Sequence, residues 1–358
     1  MRSATKSSRR RLLAGLAITG KDPAPAYYLK IGRTAMACRF EVFLRPEDRE
    51  FVPAAHRALA EVDRLEAQMS VYRDSSEVAL LNRTAFVAPV EVEERLYGLL
   101  RLARQIGGET GGAFDITAGP LIRAWGFFER RGRVPEPEAL ERARALTGWD
   151  KLGFDDCKRA VRFSREGMEV NLASIGKGYA LDRAAALLVR QGLRNFLMHA
   201  GHSSIVAAGA SHAGPGWEVS IRDPRDHQRS LGSVRLIDRA MSTSGVSEQS
   251  FAAGGRRYGH ILDPRTGAPA PNAGLVSVVA PEAARAEALS TSFFVMAPEE
   301  VRRYCEAHPE VASIVVGGPA QERDHGSPAE PVKIVTWGIS LEPSEAGGGC
   351  VTTFGTRD

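Results

Sequence analysis

"LVSVVAPEAARAEALSTSFFVMAP", residues 275–298, is the stretch from which the fold is read. Its first six residues are apolar but for Ser277 and lack helical spacing, and their number suits a strand. From Pro281 to Met296 the period changes, and Leu289, Phe293 and Met296 recur at i, i+4, i+7, the stripe of an amphipathic helix. Glu287, Ser290 and Thr291 fall on another face at i, i+3, i+4, so their oxygens can converge. Phe294 shares that face, which implies that it too is covered. A covered carboxylate beside two hydroxyls is costly unless satisfied. Two solutions are open. The hydroxyls can bond to the preceding turn while the Glu is capped or faces solvent. Alternatively the three hold a hard cation such as Mg²⁺, which takes one or two carboxylates and completes its octahedron with phosphate and water.

The surrounding chain repeats this mixture of strand and helix. Residues 28–44, "YLKIGRTAMACRFEVFL" from Tyr28 on, alternate as a strand or hairpin edge. Ala54 to Gln68 carries Ala58, Leu59, Val62 and Leu65 at helical spacing. Ser75, Ser76 and Glu77 resemble the cap of a short second helix. A further helix is expected from Glu93 to Gln105, stopping at Gly107-Gly108. "VNLASIGKGYALDRAAALLVRQG", 170–192, couples a short strand to a helix that stops at Gly192. β-rich runs follow at Asn195–Met198, Ile205–Ala208, Trp217–Ile221 and Val234–Ile237, with a late core strand in "VASIVVGG". Strands and helices mix without a regular βαβ beat, so the class is α+β with mixed, largely antiparallel sheets and packed helices.

The chain has 358 residues, 43% hydrophobic and 25% charged, enough for one large domain or two intimate lobes. A formal net charge of +4 is small. The arginines are scattered, with no basic stripe or aromatic interleaving, so no nucleic-acid surface is read. The four cysteines, Cys38, Cys157, Cys305 and Cys350, are far apart and without a CxxC pair. That spacing argues against zinc and against a disulfide framework, and Cys38, alternating with Phe40 and Val42, reads as a core thiol. Residues 1–26 are a basic arm or a degenerate export signal. Paired arginines precede an apolar run from Leu12 to Gly20, but the run is short and lacks a clear cleavage site. It is too short to span a bilayer. The location leans cytoplasmic, with twin-arginine-like export to the envelope as the alternative. Residues 341–358 read as a loose Gly-rich tail.

Three more stretches carry chemistry. "YGHILDPRTG", 258–267, needs only Asp263-Pro264 and Gly267 to make a turn after a strand ending at Leu262. His260, Arg265 and Thr266 are left over: a switchable proton carrier, a phosphate-shaped fork and a hydroxyl. "GGAFDITAGPL", 111–121, sets glycines around Asp115-x-Thr117, which suits either a turn before a helix or close backbone approach to a ligand. In "NLASIGKGYALD", 171–182, Gly176 and Gly178 flank Lys177 at a helix start, where free amides and the helix dipole favour an anion. The leading glycines of a Walker A loop are absent, and a surface lysine in a tight turn is the other reading.

Taken in order, "MSVYRDSSEVALLN", "GAFDITAGPLIRAWGF", "NLASIGKGYALD", "STSGVSEQSF", "YGHILDPRTG" and "AEALSTSFFVM" resemble the flavin transferases of the ApbE family. The resemblance covers roughly Tyr28 to Gly317 and makes 27–340 a two-lobed flavin-transferase body. It implies FAD as cosubstrate, Mg²⁺, and transfer of FMN to a Thr or Ser hydroxyl of an acceptor protein with release of AMP. It places Met36 and Tyr72 against flavin or adenine, and Ala113, Phe114 and Asp115 around the nucleotide. Asn171, Lys177 and Ile261 fall at further FAD contacts. Ser174 matches a metal contact made by a main-chain carbonyl, and Glu287, Ser290 and Thr291 match the principal metal-binding stretch. His260 and Asp263 match the family's "HIxDPRTG" signature. His260 is the expected general base, since an unperturbed imidazole titrates near working pH, with Asp263 orienting it or replacing it.

The chain departs from the family at three points. Glu287 and Asn171 stand where Asp is usual, and Gly201-His202-Ser203-Ser204 replaces a common Gly-Gly-Asp. An extra methylene moves the carboxylate by roughly an ångström, which an octahedral Mg²⁺ site tolerates poorly, so weakened metal use is expected. A non-catalytic FAD-binding protein and an FAD diphosphatase are the alternatives.

Overall fold

The computed structural model describes residues 27–245, 250–270, 274–317, 333–343 and 350–354. The N-terminal arm therefore lies outside the described residues, as do 246–249 of the "STSGVSEQSF" stretch. A hairpin opens the fold, β1 (Leu29–Ala35) and β2 (Cys38–Leu44), followed by α1 (Val52–Met69) and α2 (Glu77–Thr84). Ser76 caps α2 as its sequence implies, its Oγ accepting from the Ala79 amide at 2.9 Å. Then come β3 (Val90–Glu91) and α3 (Glu94–Glu109). Gly107 and Gly108 do not stop α3. An added Cβ on Gly107 would lie 2.8 Å from the Trp149 ring, so this glycine serves helix packing, and the chain leaves the helix at Gly111 and Gly112, both at positive φ.

Two helices missed in the sequence follow, α4 (Gly119–Ala124) and α5 (Pro137–Leu146), each with a proline in its first turn. β4 (Leu152–Asp155) and β5 (Ala160–Phe163) complete a small sheet with β3. The strand expected before the next helix is absent: Glu169 makes one isolated bridge to Ala118, and α6 (Gly176–Arg190) begins directly after a turn. β6 (Phe196–Ala200), β7 (Ser204–Ala208), the two-residue β8 (Ala210–Ser211) and β9 (Gly214–Pro215), β10 (Trp217–Asp223) and β11 (Asp226–Leu236) confirm the β-rich middle. β12 (Arg239–Gly245) was not legible, and β13 (Ser250–Ala253) and β14 (Arg256–Gly259) form a hairpin that ends before His260. β15 (Leu275–Ala280) and α7 (Ala283–Val295) are the opening strand-to-helix unit, followed by α8 (Pro298–Ala307), β16 (Ala312–Val316) and β17 (Lys333–Trp337). The tail read as loose supplies two strands, β18 (Glu342–Pro343) and β19 (Cys350–Phe354).

The main sheet runs β1-β2-β6-β7-β12-β15-β16-β17-β19, antiparallel throughout except for the parallel β17–β19 pair at its edge. One face carries α1, α6 and α7 over Phe40, Val42, Met198, Val276 and Val278. The other is covered by β10, β11 and β18, with Trp217, Val219 and Val234 packed on Leu197, Ile205 and Val279. Covering both faces explains why β15 reads as a continuous apolar run rather than a clean alternation. Among the described residues no helix is long and apolar enough to cross a membrane.

Candidate active site

The site is built around the crossing of α6 and α7. An added Cβ on Gly178 would lie 2.2 Å from the Ala283 carbonyl, so only glycine lets the helices approach this closely. Each helix then caps the other. Asp182 of α6 accepts from the Ala283 and Ala284 amides, both at 2.8 Å, at the start of α7. Glu287 of α7 accepts from the Gly178 amide at 2.6 Å through Oε2, and its Oε1 lies 2.7 Å from Lys177 Nζ. The helix start does hold an anion, as the Gly-Lys-Gly spacing implies, and within the protein that anion is Glu287. Burial pushes the Asp182 carboxyl up to about 7, against the pull of the two amides it accepts.

α7 is buried nearly all round, so its polar residues need partners. Ser290 and Thr291 both donate to the Glu287 carbonyl, at 3.0 and 3.2 Å, and Ser290 also meets Ser244 at 2.9 Å. Back-bonding to the preceding turn is thus realised. The covered face is realised too: Glu287, Ser290 and Phe294 are buried. Glu287 Oε1 is buried without a hydrogen bond and faces the Lys177 ammonium, which a metal there would displace; with the Ser290 and Thr291 hydroxyls of the same helix it offers the oxygen donor type that suits Mg²⁺.

The segment ahead of α6 is bonded to the 111–117 loop. The Asn171 amide donates to the Ile116 carbonyl at 2.7 Å, and Asn171 Oδ1 accepts from Ala173, forming the turn that contains Ser174. Asp115 accepts from the Thr117 amide at 2.7 Å and its hydroxyl at 2.6 Å; burial raises its carboxyl, and these bonds oppose the shift. Ala113 and Phe114 are fully buried, so the Phe114 ring belongs to the core and only backbone is offered at that position. A cleft of about 430 Å³ opens beside Asp115, lined also by Gly112, Gly148, Trp149, Pro264 and Arg265. It brings the 111–117 loop and the 263–267 turn together. Trp149 and Gly148 were not singled out from sequence; a lone Trp after Thr-Gly was the only signal.

The 263–267 turn departs from expectation. Gly267 closes it at φ 76°, its amide bonded to the Asp263 carbonyl at 2.7 Å. Arg265 is not a free fork. Its Nε and NH2 both sit 2.9 Å from the Asp263 carboxylate, and NH2 also donates to the Val295 carbonyl at 3.1 Å. That pairing raises the already high Arg265 pKa. Asp263 therefore holds Arg265 with both oxygens rather than waiting as a base. Trp125 Nε1 donates to the Gly267 carbonyl at 2.8 Å and fixes the turn against α4. His260 lies half-buried between β14 and this turn, and Ile261 next to it is buried in the core.

The remaining two expected contacts, Met36 and Tyr72, belong to the first hairpin and to the α1–α2 connection. Met36 occupies the β1–β2 turn with φ 49°, followed by Ala37 at 59°, a left-handed pair where glycine or asparagine is usual. Tyr72 is 67% exposed and stacks on Phe128 at 4.6 Å, with Arg123 over the far ring at 3.7 Å.

The sequence pattern of the ApbE family matches residues 36–315. Among relatives, the FAD:protein FMN transferase of Treponema pallidum is 32% identical over 78% of this chain and 81% of its own. That of Vibrio cholerae is 33% identical over 69% and 76% respectively. Among solved structures, the ApbE protein of Thermotoga maritima superposes with a TM-score of 0.74 at 31% identity, over 82% of this chain and 96% of that one. The Pseudomonas stutzeri flavinyl transferase ApbE, in its apo form, gives 0.72 at 29% identity over 84% and 94%. Six motifs in order, one two-layered core and these likenesses lead to one assignment: the chain belongs to the ApbE family.

Proposed function

We propose that this protein transfers FMN from FAD to a Thr or Ser hydroxyl of an acceptor protein, releasing AMP. The observation that carries the reading is the cleft joining the Asp115 loop to the Asp263–Gly267 turn, with the Asn171 segment ahead of α6 bonded to the Asp115 loop at the Ile116 carbonyl. In this reading the acceptor oxygen attacks the phosphorus on the riboflavin side of the FAD diphosphate. A new P–O bond forms, the P–O bond to the AMP phosphate breaks, and AMP leaves. His260 takes the acceptor's hydroxyl proton, the role a half-buried imidazole at the turn can fill. Asn171, Lys177 and the backbone of Ala113, Phe114, Asp115 and Ile261 position FAD, with Met36 and Tyr72 at its ring systems.

Glu287, Ser290, Thr291 and the Ser174 carbonyl would hold Mg²⁺. The ion, when bound, supplies neutralisation of diphosphate charge. Asp263 takes a positioning role through Arg265 instead of a catalytic one. The test is AMP release from FAD with Mg²⁺, measured with and without a flavin acceptor. Acceptor-dependent AMP release supports transfer. AMP without acceptor points to a diphosphatase, and FAD binding without AMP to a non-catalytic flavoprotein.

A further inference from the structure

On the sheet face away from α6 and α7, β2 and β6 pair so that Glu41 stands opposite His199. Both are almost completely buried, at 3% and 1% exposure. The β6–β7 connection then turns through Gly201 at φ 59° and His202 at φ 64°. A left-handed backbone is uncommon outside glycine and is retained where the surroundings over-determine it. It folds the His202 ring back over His199, with centroids 4.2 Å apart. Neither ring nitrogen of His199 makes a hydrogen bond, nor does His202 Nδ1. His199 Nε2 lies 3.1 Å from Glu41 Oε2, at ion-pair distance but without hydrogen-bond alignment. Buried polar atoms in this condition call for an account, an ordered water or a bound ion among them, and here three imidazole nitrogens of two adjacent rings share it beside a carboxylate.

We propose that Glu41, His199 and His202 bind a transition-metal dication of the zinc type. One donor atom from each lies within 4.8 Å of the others. Two imidazoles and a carboxylate are the donor set of zinc sites that keep an open position, and nitrogen donors disfavour Mg²⁺. Opposing charge is present: Lys30 Nζ and Arg39 Nε each sit 2.8 Å from the Glu41 carboxylate, and Arg222 acts on His202. Lys30 and Arg39 are 51% and 58% exposed, so both can turn to solvent when a dication arrives. Bound there, the ion would tie β2, β6 and the Gly201–His202 turn together, a role separate from the Glu287 crossing.

The test uses the full-length protein, equilibrated with zinc and passed through gel filtration, with metal counted by mass spectrometry and melting followed with and without zinc. Wild type should keep one zinc per chain and melt higher with it. His202→Gly removes the ligand while suiting the left-handed backbone, and Glu41→Gln removes the carboxylate charge; each should lower zinc affinity about tenfold or more. Glu287→Ala should retain the zinc, which separates this site from an oxygen-ligand site on the other face. Absence of stoichiometric zinc in wild type, or equal affinity in His202→Gly, overturns the proposal.

Discussion

The α6–α7 crossing and the Asp263–Gly267 turn both carry a carboxylate from a family motif, and the fold uses the two in opposite ways. Glu287 reaches a partner 109 residues away and closes a helix start on another element. Asp263 closes on Arg265, two residues along, and the finished turn is then clamped by Trp125 and Val295. The crossing is a long-range joint whose buried charges are compensated only when both helices are in place. The turn is a local unit, its Asp263–Arg265 and Asp263–Gly267 bonds made within five residues. A motif residue can thus be fixed by architecture as well as by ligand, and the two duties separate only when substitutions are read for stability and for chemistry together.

The largest effect should come from the turn's edge. His260→Ala should lower FMN transfer by ~10²–10⁴-fold while FAD affinity stays within a few-fold, because a general base contributes to the transition state and little to ground-state binding. Transfer kinetics beside a fluorescence titration check this; a normal rate would leave the turn purely architectural.

At the crossing, rate and stability should fall together. Glu287→Ala strips the Gly178 amide and Lys177 of their partner and should cost about 1–3 kcal/mol in urea unfolding besides abolishing metal-dependent turnover. Glu287→Asp should raise transfer at limiting Mg²⁺ if the extra methylene misplaces the carboxylate. Gly178→Ala should destabilise by about 1–3 kcal/mol through overlap with the Ala283 carbonyl. An alanine at 287 with wild-type activity and stability would break the comparison outright.

Asp263→Asn sharpens it from the other side. Loss of the charged fork should cost about 1–3 kcal/mol and reduce transfer less than His260→Ala does. If the Asn variant keeps its melting temperature and loses transfer as fully as His260→Ala, Asp263 belongs to the chemistry.

The smallest effect is a pH dependence at the crossing. The Asp182 carboxyl is raised from 3.8 to about 7 in the fold, so the folded state holds its proton more tightly than the unfolded chain. Its contribution is complete below about pH 3.8 and is lost as pH rises to about 7. Urea midpoints across that window should fall less with pH in Asp182→Asn than in wild type. Parallel profiles would remove Asp182 from the linkage.

Elements with local signals were legible: the first hairpin, α1, the Ser76 cap of α2, and the β15–α7 unit. β12 was not, because "RAMSTSG" has polar residues on both faces: Ser242 and Ser244 meet Ser290 towards α7, and Thr243 meets Ser277 on the other. Its place between β7 and β15 comes from pairing, which no local pattern encodes. β19 was hidden for the same reason, behind a Gly-rich tail. The site was legible as a set of motifs but not as a set of partners. That Glu287 fills the anion position beside Lys177, and that Arg265 turns to Asp263, depend on contacts across the fold or within a turn whose direction sequence leaves open.

The most direct measurement of the central claim is the intact mass of an acceptor protein after incubation with the full-length protein, FAD and Mg²⁺, with AMP quantified in the same mixture. An acceptor heavier by one FMN, on Thr or Ser, with one AMP for each acceptor modified, is the expected result. AMP formed without a mass gain, or an unmodified acceptor beside intact bound FAD, would contradict it.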